Sequence, residues 1–199
     1  MKQRLNLGFL ASGNGSSARA IIAAIKAGEL AAEARLLVSN NRSAPALAFA
    51  AEAGVAALCI STQSDPPAAD RKLARALEEH GVETVVLSGY LRQLGPHTLG
   101  RYAGRVLNIH PGPLPAFGGQ GMYGRRVHEA VIAAGARESG ICIHLVDEEY
   151  DRGPVIARRS VPVMPGDTAE TLQARVTALE PALYVETLRR IAGGEIALP

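Results

Sequence analysis

Cysteine is scarce in this 199-residue chain, which carries only Cys59 and Cys142. Each sits in an apolar, strand-like run with no second cysteine or histidine nearby at ligand spacing, which argues against a disulfide framework and against a metal centre. Both are read as buried, reduced thiols. Long hydrophobic runs are missing too. The N-terminal stretch MKQRLNLGFLAS has too short an apolar run for a signal peptide, and no segment approaches the length of a bilayer span. The chain is therefore expected to be cytoplasmic and to have no membrane partner. Nor is there a dense basic run. The formal charge of +2 and the pI near 8.7 come mostly from arginines spread along the chain, a pattern that fits a small anionic substrate better than nucleic acid. Internal repeats, low-complexity tracts and linkers are likewise absent.

What is present is enough apolar content, 47% against 20% charged, to bury the core of one domain spanning residues 1–199. Short apolar runs alternate with segments of helical period. LNLGFLAS is followed by a helix from about Ser16 to Ala27, then by ARLLVSNN and a helix near Ala44 to Ala53. AALCIST, a helix near Ala68 to Glu79 and the strand VETVVLSGY at 82–90 continue the series. Four strands joined by helical crossovers predict a parallel, doubly wound α/β sheet with helices on both faces. After residue 104 the pattern changes. RVLNIH runs into a Pro/Gly loop, a helix near Gly124 to Ala134 and two β runs, SGICIHLVDEE and GPVIARRSVPV, joined by EEYDRGP. So short a connection cannot be a parallel crossover, so these runs should form an antiparallel hairpin. A last helix, from about Thr168 to Ile191, should be kinked at Pro181, whose ring crowds the carbonyl of Thr177.

Two places carry chemistry. Gly13, Asn14, Gly15, Ser16 and Ser17 lie between the first strand and the first helix, where backbone amides and the positive end of the helix dipole suit a phosphate. The alternative is a tight turn with Ser16 as helix cap. Gly13, Gly15 and Ala18 match a dinucleotide fingerprint. The acidic residue that fingerprint needs at the end of the second strand is missing, since Ser39, Asn40 and Asn41 stand there, and no lysine follows the glycines. A nicotinamide cofactor and a P-loop are thereby disfavoured. The second place is the strand end 105–110. Asn108 and His110 fall on one face at the C-terminal edge of the sheet, where open α/β sheets bind ligands. Asp151, in the hairpin turn, can return to that edge and raise the proton affinity of His110, while the Asn108 amide can donate to a developing oxyanion. A passive strand end is the competing reading. With no serine or cysteine nucleophile presented, direct transfer through a tetrahedral intermediate is favoured over an acyl-enzyme.

Four segments in register, SGNGSS, SGYLRQLGP at 88–96, NIHPGPLPAF at 108–117 and DRGPVIARRSVPV at 151–163, resemble the phosphoribosylglycinamide formyltransferases, with the likeness running from residue 5 to about 191. The resemblance implies a Rossmann-like formyltransferase fold and transfer of formyl from 10-formyltetrahydrofolate, a cosubstrate, to glycinamide ribonucleotide in purine synthesis. It assigns the substrate phosphate to Gly15, Ser16 and Ser17, and the ribose and glycinamide to Glu180, which would otherwise pass as a solvated helical carboxylate. It sets the folate against Leu91, Arg92, Gln93 and Leu94, Asn108, and the loop Asp147, Glu148, Glu149, Tyr150 and Asp151. Leu91 and Leu94 would otherwise read as core. Asn108, His110 and Asp151 match the family's catalytic set, with His110 as oxyanion partner and proton shuttle; His144 matches a histidine common in the family and reads as an orienting residue, with a satisfied core histidine as the alternative. Residues 1–104 would then be the phosphate-binding half and 105–199 the catalytic and folate-binding half, working as a monomer or homodimer without metal or nucleic acid.

The chain also departs from the family pattern. GGQGMYGRRVHEAV at 118–131 is longer than the usual proline-glycine turn, and Tyr150 and Arg152 replace the leucine and glycine that often flank the catalytic aspartate. An arginine that contacts folate in some members has no counterpart, its position falling near Pro66. The competing functions are a 10-formyltetrahydrofolate hydrolase, a formylase of sugar nucleotides or methionyl-tRNA, and a non-enzymatic nucleotide-binding module. The hydrolases carry an additional N-terminal domain and the formylases a C-terminal one, which this chain is expected to lack.

Overall fold

The structure is a computed structural model and describes residues 4–199. Its elements follow in the order β1 (Leu5–Leu10), α1 (Ser16–Lys26), β2 (Ala32–Ser39), α2 (Pro45–Glu52), β3 (Ala56–Cys59), α3 (Pro66–Glu79) and β4 (Thr84–Leu87). Then come α4 (Pro96–Arg101), β5 (Val106–His110), α5 (Arg125–Ala133), β6 (Glu138–Leu145), β7 (Val155–Pro162), α6 (Ala169–Thr177) and α7 (Glu180–Ala192). The strands form one seven-stranded sheet in the order β3-β2-β1-β4-β5-β6-β7. The first five pair in parallel, and β6 and β7 are added antiparallel as the short EEYDRGP connection requires. This is the doubly wound α/β sheet with a C-terminal hairpin that the alternation of apolar runs predicts.

Burial follows from position in the sheet. The central strand β4 is buried at every residue, whereas the edge strands β3 and β7 alternate with solvent. One core lies under α1, α2, α5, α6 and α7, with Phe9, Ile21, Leu37, Ile141, Leu172 and Leu188 among its members. The other lies under α3 and α4, around Leu10, Leu36, Leu73, Leu77 and Val85. Helices thus cover both faces.

Two expectations are corrected, and one helix is new. The closing helix is not one kinked rod but two helices, α6 and α7, with Pro181 at the second position of α7. There its missing N–H removes no helical bond, so proline starts the second helix instead of bending a continuous one. Cys59, at the end of the edge strand β3, is half-buried, while Cys142 is buried. Helix α4 was not anticipated. Its amides are capped from another helix: the buried Asp70 carboxylate on α3 accepts from the N–H groups of His97 (2.8 Å) and Thr98 (3.1 Å) and from the Thr98 hydroxyl (2.6 Å). A tertiary cap of this kind leaves no signal in the local sequence.

The connections from the neighbouring strands β1 and β4 run to opposite sides, so a crevice opens at their C-terminal ends. Tyr184, fully buried on α7, braces the ends of β4 and β5. Its hydroxyl lies 3.0 Å from each of the carbonyl oxygens of Leu87 and Leu107, just where the paired register of β4 and β5 ends at Val86 and Leu107. One shared proton thus holds two strand ends, including the peptide that carries Asn108. Tyr184→Phe keeps the ring and deprives both carbonyls of their donor, so urea unfolding should show a loss of about 1–2 kcal/mol with an unchanged m-value.

Candidate active site

The C-terminal ends of β5 and β6 and the turn before β7 bring Asn108, His110, His144 and Asp151 together. Antiparallel pairing sets Asn108 opposite His144 and His110 opposite Cys142. Asp151 reaches them from the turn, with φ of 57°, a left-handed conformation that aspartate tolerates better than most residues. The tight return is possible because residue 153 is glycine: a Cβ there would lie 1.9 Å from the carbonyl oxygen of Leu145. One Asp151 oxygen is 3.4 Å from His110 Nδ1 and accepts from the Gly119 N–H at 3.0 Å; the other is 3.4 Å from His144 Nε2. His110 and His144 are only 3% and 2% exposed, so this carboxylate sits between two buried rings.

The second nitrogen of each ring is also engaged. His110 Nε2 donates to the Phe117 carbonyl at 2.7 Å. His144 Nδ1 donates to the Leu145 carbonyl at 2.9 Å, which in the neutral ring leaves Nε2 to accept from the Asn108 amide at 3.0 Å. Asn108 keeps its second N–H for a ligand. Burial lowers the pKa of His110 below the ordinary histidine value; the Asp151 carboxylate and the Phe117 carbonyl oppose that effect, and His144 adds to it. Asp151 does raise the proton affinity of His110, as the sequence suggests, but desolvation outweighs it. For Asp151 itself burial pushes the pKa up, and the neighbouring His144 ring, the charge of His110 and the Gly119 amide together bring it below the usual value.

These residues line a cavity of about 1280 Å³. Leu91, Arg92, Gln93 and Leu94 border it after β4, and Asp147, Glu148, Glu149 and Tyr150 border it opposite. The Gln93 side chain donates to the Glu148 carbonyl at 3.3 Å, so these two segments meet. Leu94 is buried, but Leu91 is 69% exposed, which excludes it from the core. Glu180, first residue of α7, lines the cavity half-buried, and burial pushes its carboxyl up to about 7. It is not a solvated surface carboxylate.

The glycine loop is placed differently from the other assigned residues. Gly15 is the N-cap of α1 with φ of 63°, and Ser16 makes no capping bond, which removes the reading of Ser16 as helix cap. Gly15, Ser16 and Ser17 do not line the cavity; Ser12 does, along with Asn40, Asn41 and Arg42 after β2. Ser12 was within the quoted motif but not singled out, and its hydroxyl both donates to Asn40 Oδ1 at 2.6 Å and accepts the Leu91 N–H at 2.8 Å. His128, which sequence reasoning also passed over, is fully buried beside the cavity with both ring nitrogens unpaired, and burial together with the charge of His110 lowers its pKa. A lone histidine inside a helical pattern carries no local signal of that position. Among the described residues no group of three His, Cys, Asp or Glu is arranged to hold a metal ion, and no helix is long and apolar enough to cross a membrane.

An amide donor, an imidazole paired with a carboxylate and an open cavity beside them suit acyl-type transfer through an oxyanion. Comparison with known proteins points the same way. Residues 5–188 match the formyl transferase family. The chain is 40% identical over 95% of its length to the chloroplastic phosphoribosylglycinamide formyltransferase of Vigna unguiculata, and spans 61% of that protein. It is 36% identical over 98% of its length to the phosphoribosylglycinamide formyltransferase of Escherichia coli K12, and spans 90% of it. The crystal structure of glycinamide ribonucleotide transformylase 1 from Symbiobacterium toebii superposes with a TM-score of 0.89 at 33% identity, covering 98% of this chain and 91% of that one. Fold, site and relatives agree that the chain belongs to the formyl transferase family, alongside the phosphoribosylglycinamide formyltransferases.

Proposed function

We propose that this protein transfers the formyl group of 10-formyltetrahydrofolate to the amino group of glycinamide ribonucleotide, a step of purine synthesis, in the cytoplasm. The observation that carries the reading is the meeting of Asn108, His110 and Asp151 at the C-terminal sheet edge inside one cavity. The volume of that cavity, about 1280 Å³, exceeds the roughly 300–1,000 Å³ of a typical single-ligand pocket, which supports joint occupancy by two substrates. Residues 1–104 supply the phosphate end and residues 105–199 the formyl-exchange end, and every site residue named comes from one chain. The pterin is read against residues 91–94 and 147–151, and the ribose and glycinamide against Glu180.

In the mechanism, the substrate amine attacks the formyl carbon and the carbonyl electron pair moves to oxygen. The free N–H of Asn108 meets that oxyanion. His110 Nε2–H, which the Phe117 carbonyl holds in the free site, turns to the same oxygen. Asp151, kept ionised by its neighbours, makes the second proton on the His110 ring affordable as negative charge develops. The second proton on His110 is the one lost by the attacking amine; collapse of the intermediate re-forms the carbonyl, breaks the bond to the folate nitrogen and passes that proton from His110 to it. His144 holds the amide of Asn108 and one Asp151 oxygen, an orienting role.

The direct test is incubation with 10-formyltetrahydrofolate, with and without glycinamide ribonucleotide, following tetrahydrofolate. Formation only with the acceptor supports the reading; equal formation without it indicates the hydrolase, and none in either case indicates a binding module. His110→Ala and Asp151→Asn should each lose more than about a hundredfold in formyl transfer, and near-wild-type rates in both would refute the mechanism.

Glu180 gives a prediction on stability. Its pKa is raised by folding, so the stability it contributes is present below the unfolded value of 4.5 and is lost as pH rises through about 7. Glu180→Gln should therefore be more stable than the parent in chemical unfolding at pH 8 and no more stable at pH 4, while its KM for glycinamide ribonucleotide rises.

A further inference from the structure

His128 lines the cavity while exposing no surface of its own, and formyl exchange through Asn108, His110 and Asp151 gives it no task. Both of its ring nitrogens lack a hydrogen-bond partner. A neutral imidazole brings one donor and one acceptor, and leaving both unmade in the interior costs stability that an apolar side chain of similar size would not. Burial and the charge of His110 lower its pKa, so the ring is held neutral and keeps one donor free. The other buried side-chain atoms without a partner among the described residues, the hydroxyls of Tyr102 and Ser139, do not line the cavity. The unmet hydrogen bonds that border the site thus belong to His128.

Two features tie this ring to His110. The start of α5 packs close to the Nε2 edge of His110: a Cβ on Gly112 would lie 2.5 Å from Val127 Cγ1, on the residue before His128, and 3.3 Å from His110 Nε2. Only glycine lets both approach the same backbone. The chain itself is the second link, since the segment 117–124 runs from the Phe117 carbonyl, which accepts the His110 Nε2–H at 2.7 Å, into α5. Its own turns fix that segment, with the Phe117 N–H donating to the Pro113 carbonyl (3.0 Å), Met122 N–H to Gly119 (3.0 Å) and Arg126 N–H to Tyr123 (3.2 Å). Among the described residues the Phe117 carbonyl accepts no other hydrogen bond. When His110 turns to the oxyanion, this half-buried carbonyl loses its donor, and the cost of an unmet acceptor falls on the transition state.

We propose that His128 is a positioning residue for His110: its free N–H takes over the Phe117 carbonyl as the His110 Nε2–H leaves for the oxyanion, so that the two imidazoles exchange one acceptor. The inference deepens the proposed function and rests on its reading of His110 as the group that meets the oxyanion. No bond is made or broken in the exchange and no proton changes owner, so the proton balance is that of formyl transfer. The unmet N–H is a cost in the resting protein that disappears in the transition state, which is how a hydrogen bond raises kcat and not merely affinity.

The test uses His128→Leu and His128→Gln in the full chain. Leucine removes both unpaired nitrogens, so the urea midpoint of His128→Leu should be no lower than that of the parent, while kcat for formyl transfer falls about tenfold or more and both KM values change less than about twofold. His128→Gln keeps an N–H donor and should recover part of kcat. Unchanged kcat in His128→Leu overturns the proposal. So does a fall in kcat that comes with a lower urea midpoint in both variants, which marks a purely structural role. If the parent consumes 10-formyltetrahydrofolate equally well without glycinamide ribonucleotide, the same kcat defect in that hydrolysis supports the role of His128 and refutes the proposed acceptor. No turnover of either kind in the parent refutes both.

Discussion

The Asp151 carboxylate, set between two buried imidazoles, is the contact on which the site depends. It is the one group that touches all four segments at the sheet edge: His110 on β5, His144 on β6, the loop at Gly119 and its own turn before β7. An ionised carboxylate so enclosed is stable only if the surrounding donors replace water. The Gly119 amide does so directly, and the two rings that flank the carboxylate are fixed in orientation by the Phe117 and Leu145 carbonyls. Asn108 is aimed by His144, His144 by the Leu145 carbonyl, and the Leu107 carbonyl behind Asn108 by Tyr184. Removal of the carboxylate would leave the rings without a reason to face one another.

The same arrangement explains why His110 is poised rather than permanently charged. Desolvation holds His110 toward neutrality and the carboxylate offsets it. A group so balanced gains a proton when an oxyanion appears beside it and releases it when the anion collapses, which is what formyl exchange through a tetrahedral intermediate requires. The 111–124 loop belongs to this balance, because the Phe117 carbonyl and the Gly119 amide contact His110 and Asp151 directly. The unusual composition of this loop is thus set directly against the His110 and Asp151 pair.

The sheet was legible in the sequence because its signals are local. Apolar runs bounded by Gly, Asn and Ser gave β1 to β5, and the brevity of EEYDRGP gave the antiparallel hairpin. Asn108 and His110 could be paired by strand period alone. What escaped was decided by tertiary partners. Helix α4 exists because Asp70 on another helix caps it, and Pro181 opens α7 because the chain breaks at Ala178 and Leu179. Leu91 reads as core by residue type, yet the loop after β4 turns it outward to the cavity rim. Arg42 and His128 are single residues in unremarkable surroundings, and only the folded chain puts them at the cavity wall. Glu180 reads as a surface carboxylate until the break before α7 turns it inward.

The central claim is that the Asn108, His110 and Asp151 group passes the formyl carbon directly from folate to an amine. It is tested most directly by supplying 10-formyltetrahydrofolate with an isotopically labelled formyl carbon, together with glycinamide ribonucleotide, and locating the label by NMR after a single turnover. The account predicts that the label appears in the formamide of the acceptor, with none in free formate. Label in formate, or label retained on the protein, would contradict it.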